Sequence, residues 1–290
     1  MDAITPINLD AAYLNLSSAT ETWPAWLSGS GYSAGFTVSY DSSTVHGIYQ
    51  RLIAGAGTVA PNLDLANWEY LSPSNRWAMF DNSRSTRTWA MGSLAVVLQN
   101  LSGTYGVGLF GLVGTSVTVS VQNSGGTVTF QAVKALNGTS SNPDQVVLNA
   151  VVVPAGGTIN ILLSHSGGAA YKVECGACVL GRTAFLGVTQ PSPSLGIVSY
   201  SRKVTDEFGM TTFVKRASSK RLTVKLRINN TELDSVYRKL EELDGVPFVL
   251  VCSDIAALKP LDILGFLKDF SIDVAYVSES LCSIEFEGLA

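Results

Sequence analysis

The sequence predicts a mainly β protein, an antiparallel β-sandwich followed by a C-terminal α+β domain with one helix laid on an antiparallel sheet. Three observations predict it. Glycine supplies 27 of the 290 residues, and Ser, Thr and Val are abundant, a composition of short strands and turns. Apolar and polar residues alternate with a period of two across much of 71–190, the signature of half-buried strands. Charge is uneven: residues 1–195 carry 16 charged side chains and residues 196–290 carry 26, so the last third reads as a separate domain with a more ordinary surface.

Hydrophobic residues make up 46% of the chain and charged residues 14%, enough apolar surface for two or three cores and too little charge for disorder. The net charge of −4 argues against a nucleic-acid binder, which carries a basic footprint. The N-terminal residues Met1 to Pro6 have neither a basic region nor a long apolar core, so no targeting signal is read there. The most apolar stretch, Val146 to Leu163, is interrupted by Asn149, Pro154, Gly156, Gly157 and Asn160 and does not read as a membrane span. The expectation is a soluble chain made in the cytosol.

Residues 1–70 are rich in aromatics, among them Tyr13, Trp23, Trp26, Tyr49 and Trp68, with little periodicity. Phe36, Val38 and Tyr40 alternate as a short strand, and Ile48 to Ala54 reads as a turn of helix. The segment is expected to pack onto the sandwich rather than build a large core. Residues 71–190 form the sandwich. Val117, Val119 and Val121 share one strand face, Asn123 to Gly126 turn, and Val128 and Phe130 resume. Ile159, Ile161 and Leu163 form another strand, closed by His165 to Gly168. Tyr171, Val173, Cys175, Ala177 and Val179 are read as one face of the next.

Pro191-Ser192-Pro193-Ser194 marks the expected domain boundary. Within 196–290, Ser199–Lys203 and Thr211–Lys215 are read as hairpin arms around Asp206 to Gly209. Leu222, Val224, Leu226 and Ile228 alternate with Arg221, Thr223, Lys225 and Arg227 as a half-buried strand. A helix follows, with Thr231 as its N-cap, Asp234 three residues on, and Leu233, Val236, Tyr237, Leu240 and Leu243 on one stripe. Gly245 and Pro247 end it. Strands at 248–252, 265–276 and 281–287 complete the domain.

Sequence matches to catalytic motifs are weak. Gly31-Tyr32-Ser33-Ala34-Gly35 fits the literal nucleophile-elbow pattern, which requires a strand before and a helix after; here turn formers precede it and a strand follows, so it is read as a turn. His46 and His165 have no convincing partners nearby in sequence, so neither catalysis nor metal binding is expected of them. Cys175 and Cys178 form a CxxC, yet a spacing of three on a regular strand points them to opposite faces. Cys175, Cys252 and Cys282 are read as small buried hydrophobes, and no metal cluster or disulfide is expected. Gly103 to Gly108 lacks the Lys-Ser/Thr of a phosphate loop. Glu285 and Glu287 share the solvent face of the last strand. No cofactor is expected, and no enzymatic activity.

The most distinctive segment is Asn75-Arg76-Trp77-Ala78-Met79-Phe80-Asp81. Physically it places Trp77 and Phe80 in a core, while Asn75, Arg76 and Asp81 fix a buried turn by hydrogen bonds. This heptad resembles the signature of a family of phage virion proteins from long non-contractile tails, tail-tip proteins with a carbohydrate-binding-like domain. Asp206 to Arg216 with Ser219-Lys220-Arg221, and Gly265 to Asp273 with Cys282 to Leu289, are similar to its further blocks. The resemblance implies a jelly-roll or galactose-binding-like sandwich and a tail-tube-like or distal-tail-like C-terminal domain. It implies a virion protein of the tail tip or baseplate, a homo-oligomer forming a hexameric ring that joins the tail tube to the tip hub proteins. The alternative it leaves open is a receptor-binding adhesin for host-surface glycan, with Tyr49, Trp68, Trp89 and Tyr105 as contacts. An adhesin requires such rings exposed, a scaffold requires them buried.

Overall fold

The computed structural model describes residues 1–83, 85–140, 142–252, 260–274 and 276–289. The chain opens with β1 (Asp2–Pro6) and β2 (Leu14–Ser17), and the aromatic-rich stretch supplies β3 (Gly31–Tyr32), β4 (Thr37–Asp41), β5 (His46–Arg51), β6 (Gly55–Ala56) and β7 (Trp68–Pro73). Then come β8 (Thr88–Met91), β9 (Ser93–Leu112), β10 (Ser116–Gln122), β11 (Val128–Ala135), β12 (Asp144–Ser164), β13 (Lys172–Cys175), β14 (Ala177–Phe185) and β15 (Val188–Thr189). The last third holds β16 (Ser194–Ser199), β17 (Arg202–Thr205), β18 (Thr211–Val214), β19 (Ser218–Asn229), α1 (Leu233–Glu242), β20 (Phe248–Val251), β21 (Ile263–Asp273) and β22 (Glu279–Gly288).

The protein is mainly β, with a large antiparallel sheet and one α-helix among the described residues. The main sheet runs β11-β10-β12-β9-β14-β1-β20-β21-β22-β19-β15, with β16 also on β19 and β2 also on β9. The sandwich comes from a long hairpin folded over itself. The first half of β9 pairs with the end of β12 (Leu94↔Leu163), the second half with its beginning (Leu109↔Val146), and the register shifts between them. Gly103 and Gly156 sit at these breaks with φ of +105° and +69°, backbone that a glycine adopts without strain. Leu94, Val96 and Leu98 of one half thereby face Tyr105, Val107 and Leu109 of the other in one core, with Val117, Val119, Val121, Ile159, Ile161 and Leu163.

Beyond β14 the sheet carries a second core on one face and a third on the other. Ala3, Leu222, Val224, Leu226, Ile228, Phe248, Ile284 and Phe286 pack beneath Val236, Leu240 and Leu243 of α1, the helix-on-sheet arrangement expected. Ile4, Phe110, Val147, Val179, Val249 and Leu264 pack together on the opposite side.

Several expectations are corrected. The sheet does not stop at the Pro/Ser run: β15 before it and β16 after it both pair with β19, and β1 lies between β14 and β20. Residues 1–70 therefore supply a central strand of the whole sheet. They also build a small core of their own, with Val38, Tyr49 and Trp68 buried beneath Trp26, Tyr32 and Tyr40. Ile48 to Ala54 is not helical, because β5 pairs on both sides, with β4 and β7. Thr231 does not cap α1: its hydroxyl donates to Asn229 Oδ1 at 2.9 Å, and Glu232 occupies the cap position. The strand expected to reach Tyr276 ends at Asp273, and Ala275 lies outside the described residues.

Candidate functional site

The heptad is a short 3-10 turn, Ala78–Phe80, that plugs the first core. Trp77, Ala78 and Met79 are buried, while Phe80 is half-buried rather than central. Asn75 and Asp81 hold the turn through their side chains, while Arg76 bonds only through its backbone and its Nε is buried without a hydrogen-bond partner among the described residues. The Asn75 side chain donates to the carbonyls of Thr20 and Trp89 and accepts from the Trp89 amide at 2.9 Å. Both Glu21 oxygens accept from the backbone, Asn75 N at 2.8 Å and Arg76 N at 2.9 Å. Asp81 accepts from Ser83 N and the Thr86 hydroxyl.

His46 has partners that its sequence neighbours do not suggest. Its ring stacks on Trp77, with centroids 3.7 Å apart, and its Nδ1 lies 3.3 Å from Asp41 Oδ1 across the β4–β5 turn. The fully buried Ser74 donates to that same carboxylate oxygen at 2.8 Å. The three residue types of a nucleophilic triad meet here in the wrong order. The serine is bonded to the carboxylate and not to the imidazole, so no base addresses its hydroxyl. Ser33 sits before a turn that leads into β4, without the helix an elbow requires.

Beside the heptad is a cleft of about 230 Å³ bordered by Trp23, Trp89, Arg87, Thr86, Ser72 and Glu21. Trp23 is 46% exposed and Trp89 is half-buried, with Lys172 Nζ 4.7 Å from its ring centroid. Behind the cleft Glu174 accepts from Arg87 at 2.6 Å and faces Lys172 at 2.9 Å. Burial alone would raise the Glu174 carboxyl; hydrogen bonds and charge from Lys172 and Arg87 outweigh it and hold the group below its usual range. Of the four expected glycan contacts only Trp89 borders this cleft. Tyr49, Trp68 and Tyr105 are buried, and Arg51 and Arg182 lie over the rings of Trp68 and Tyr105, so these three present no free face to a sugar.

The CxxC is also corrected. β13 ends at Cys175 and β14 starts at Ala177; pairing with β9 keeps one register across the break, Ala177 level with Phe110 and Glu174 with Val113, and the faces turn over where Gly176 lies against Gly111. A side chain on the facing Gly111 (φ +69°) would meet Gly176 Cα at 3.0 Å, so position 111 requires glycine. Val173, Cys175, Cys178 and Leu180 consequently share the first core, while Ala177 and Val179 face the third. Burial pushes the Cys175 and Cys252 thiols up to about 12 and that of Cys282 to about 11, and raises Cys178 strongly. Such thiols hold little thiolate, the form that attacks or ligates. All four are unpaired, and no metal-ligating group of three or more His, Cys, Asp or Glu occurs among the described residues.

Glu285 faces Arg221 at 2.7 Å and Lys268 at 3.5 Å. Glu287 accepts from the Tyr200 hydroxyl at 2.6 Å; that bond, with further ones from Lys268 and Ser219, holds its carboxyl low. Both carboxylates serve the sheet surface.

A second surface stands out at the far end of β19. β17 and β18 pair only with each other, and every residue of both is exposed. Phe208 at their tip is 91% exposed, Met210 70% and Phe213 77%. The second arm falls where the sequence pattern puts it, the first at Arg202–Thr205 rather than Ser199–Lys203, since Ser199 pairs with Ser218 in β16; the pattern does not reveal that the hairpin leaves the body.

No protein-family model matches the chain, and no curated protein does. One solved structure, a GH2 beta-galacturonidase from Eisenbergiella tayi bound to glycerol, aligns over 92% of this chain and 36% of its own, at 11% identity and a TM-score of 0.24. A score that low carries neither fold nor activity across.

Proposed function

We propose that the chain is a structural subunit of a phage tail tip or baseplate, a distal-tail-like ring protein that joins the tail tube to tip proteins and displays its sandwich at the periphery. The observation that carries this reading is the exposed arm, β17 and β18 with Phe208, Met210 and Phe213 in water. An isolated two-stranded hairpin is marginally stable, and a contiguous apolar surface of this kind marks a site of association. The buried state of Tyr49, Trp68 and Tyr105 also favours a scaffold over a surface of sugar-binding rings. The resemblance of the heptad and the two later blocks points to the tail, and the tail-tube-like order of the C-terminal elements to a sixfold ring. Light scattering on the purified full chain tests the reading: a closed oligomer of fixed number is expected, and a monomer at every concentration would refute it.

A second reading, a glycan-binding adhesin, is favoured by one observation, the cleft where Trp23 and Trp89 stand beside Thr86, Arg87 and Ser72. Sugars stack their apolar faces on such rings while polar groups fix their hydroxyls. Calorimetric titration with host-surface polysaccharide should give heat that Trp23→Ala abolishes. No heat with the native chain removes this reading and leaves the ring untouched.

A further inference from the structure

The arm has a complement on the same chain. Between α1 and β21 runs a groove of about 590 Å³ walled by Leu233, Asp234, Tyr237, Phe270, Ile272 and Val274. Tyr237 and Phe270 meet edge to face in it, with ring centroids 5.9 Å apart, and Tyr237 and Val274 remain largely exposed. Its lining is apolar except for Asp234, which pairs with Arg238 at 2.9 Å. Segments 232–244 and 269–274 carry seven acidic side chains against two basic ones. The arm, residues 202–216, carries four basic side chains (Arg202, Lys203, Lys215, Arg216) against two acidic ones.

Arm and groove lie at opposite ends of the sheet. The arm leaves at Ser199 and Ser218, which pair with each other. The groove stands at the other end of β19, where Arg227 is level with Leu281 and Leu281 with Asp273. Twelve residues of β19 separate the ends, roughly 36 Å at about 3.3 Å per residue. A copy would have to fold its arm back along the whole sheet to fill its own groove, and the arm stands free instead.

We propose that the arm of one copy seats in the α1–β21 groove of the next. Phe208, Met210 and Phe213 lie against Tyr237, Phe270 and Val274, and the basic arm strands face the net-acidic segments that wall the groove. Each copy then offers one donor and one acceptor surface, a heterologous contact that closes into a ring when the rotation permits. The inference rests on the preceding reading that copies associate, and adds which surfaces meet.

Sedimentation of the full chain tests it with an arm variant, Phe208→Asp with Phe213→Asp, and a groove variant, Tyr237→Asp with Val274→Asp. All four positions are exposed, so both variants should keep the native circular dichroism. Each alone should lose self-association at least about tenfold, the equivalent of about 1.4 kcal/mol. Mixed together they should form dimers and nothing larger, since one intact arm meets one intact groove. If both variants assemble like the native chain, the arm–groove contact is wrong while the ring reading survives. If only the arm variant fails, the arm docks elsewhere and the groove assignment falls. A native chain that never associates would sink both.

Discussion

Glu174 shows how much a single side chain can be asked to do beside the heptad. It is 8% exposed, yet it is ionised, because Arg87 and Lys172 converge on it. Its folded carboxyl sits below its usual range, so its contribution to stability is present above the ordinary glutamate range and is lost as pH falls through the lower, folded value. Glu174→Gln should cost about 1–3 kcal/mol at neutral pH, as for hydrogen bonds to charged groups. The gap between native and variant in urea unfolding should narrow as pH drops below the ordinary glutamate range. A gap that stays constant across that range would show that the pair carries no net stabilisation. Aromatic residues make the opposite lesson. Trp23 and Trp68 look alike in sequence, but Trp68 is buried under Arg51 and Tyr32 and Trp23 borders a cleft. Ring type does not encode exposure; only packing of distant segments decides it.

Among the elements, β1 has the largest effect for its size. Five residues, Asp2–Pro6, pair with β14 on one side and β20 on the other, and Ile4 is fully buried in the third core. Ile4→Asp would place a carboxylate there without a partner and should cost several kcal/mol, whereas Ile4→Val should cost about 0.5–1.5 kcal/mol. Hydrogen exchange checks it: amides of β9 and β22 should lose protection together in Ile4→Asp. Loss confined to one half would show that β1 is not a shared strand. No sequence pattern announces β1, since five residues carry no usable period and its partners lie about 180 and 245 positions away. The opposite holds for β19. Its inner face, Leu222 to Ile228, meets the helix core while its outer face meets water, so alternation is plain in the sequence. The CxxC lies between these cases. Alternation is legible, but the left-handed backbone of Gly111 opposite Gly176 reverses it, and such a kink leaves no mark on composition.

At the scale of the whole molecule, composition divides the chain near residue 195 and hydrogen bonding does not. The charged last third and the neutral sandwich share one sheet through β1, β14 and β20, so backbone pairing joins the sandwich to the part that carries arm and groove. The candidate surfaces are only partly legible in the sequence. The heptad and the hairpin are visible as motifs, while the cleft and the groove arise from segments that meet only on folding. Electron cryo-microscopy of the purified full chain decides whether the proposed ring exists. Closed rings of identical copies are expected, each arm lying in the α1–β21 groove of its neighbour. Single particles of one copy, or a tail-tip reconstruction with a lone copy off the axis, would contradict it.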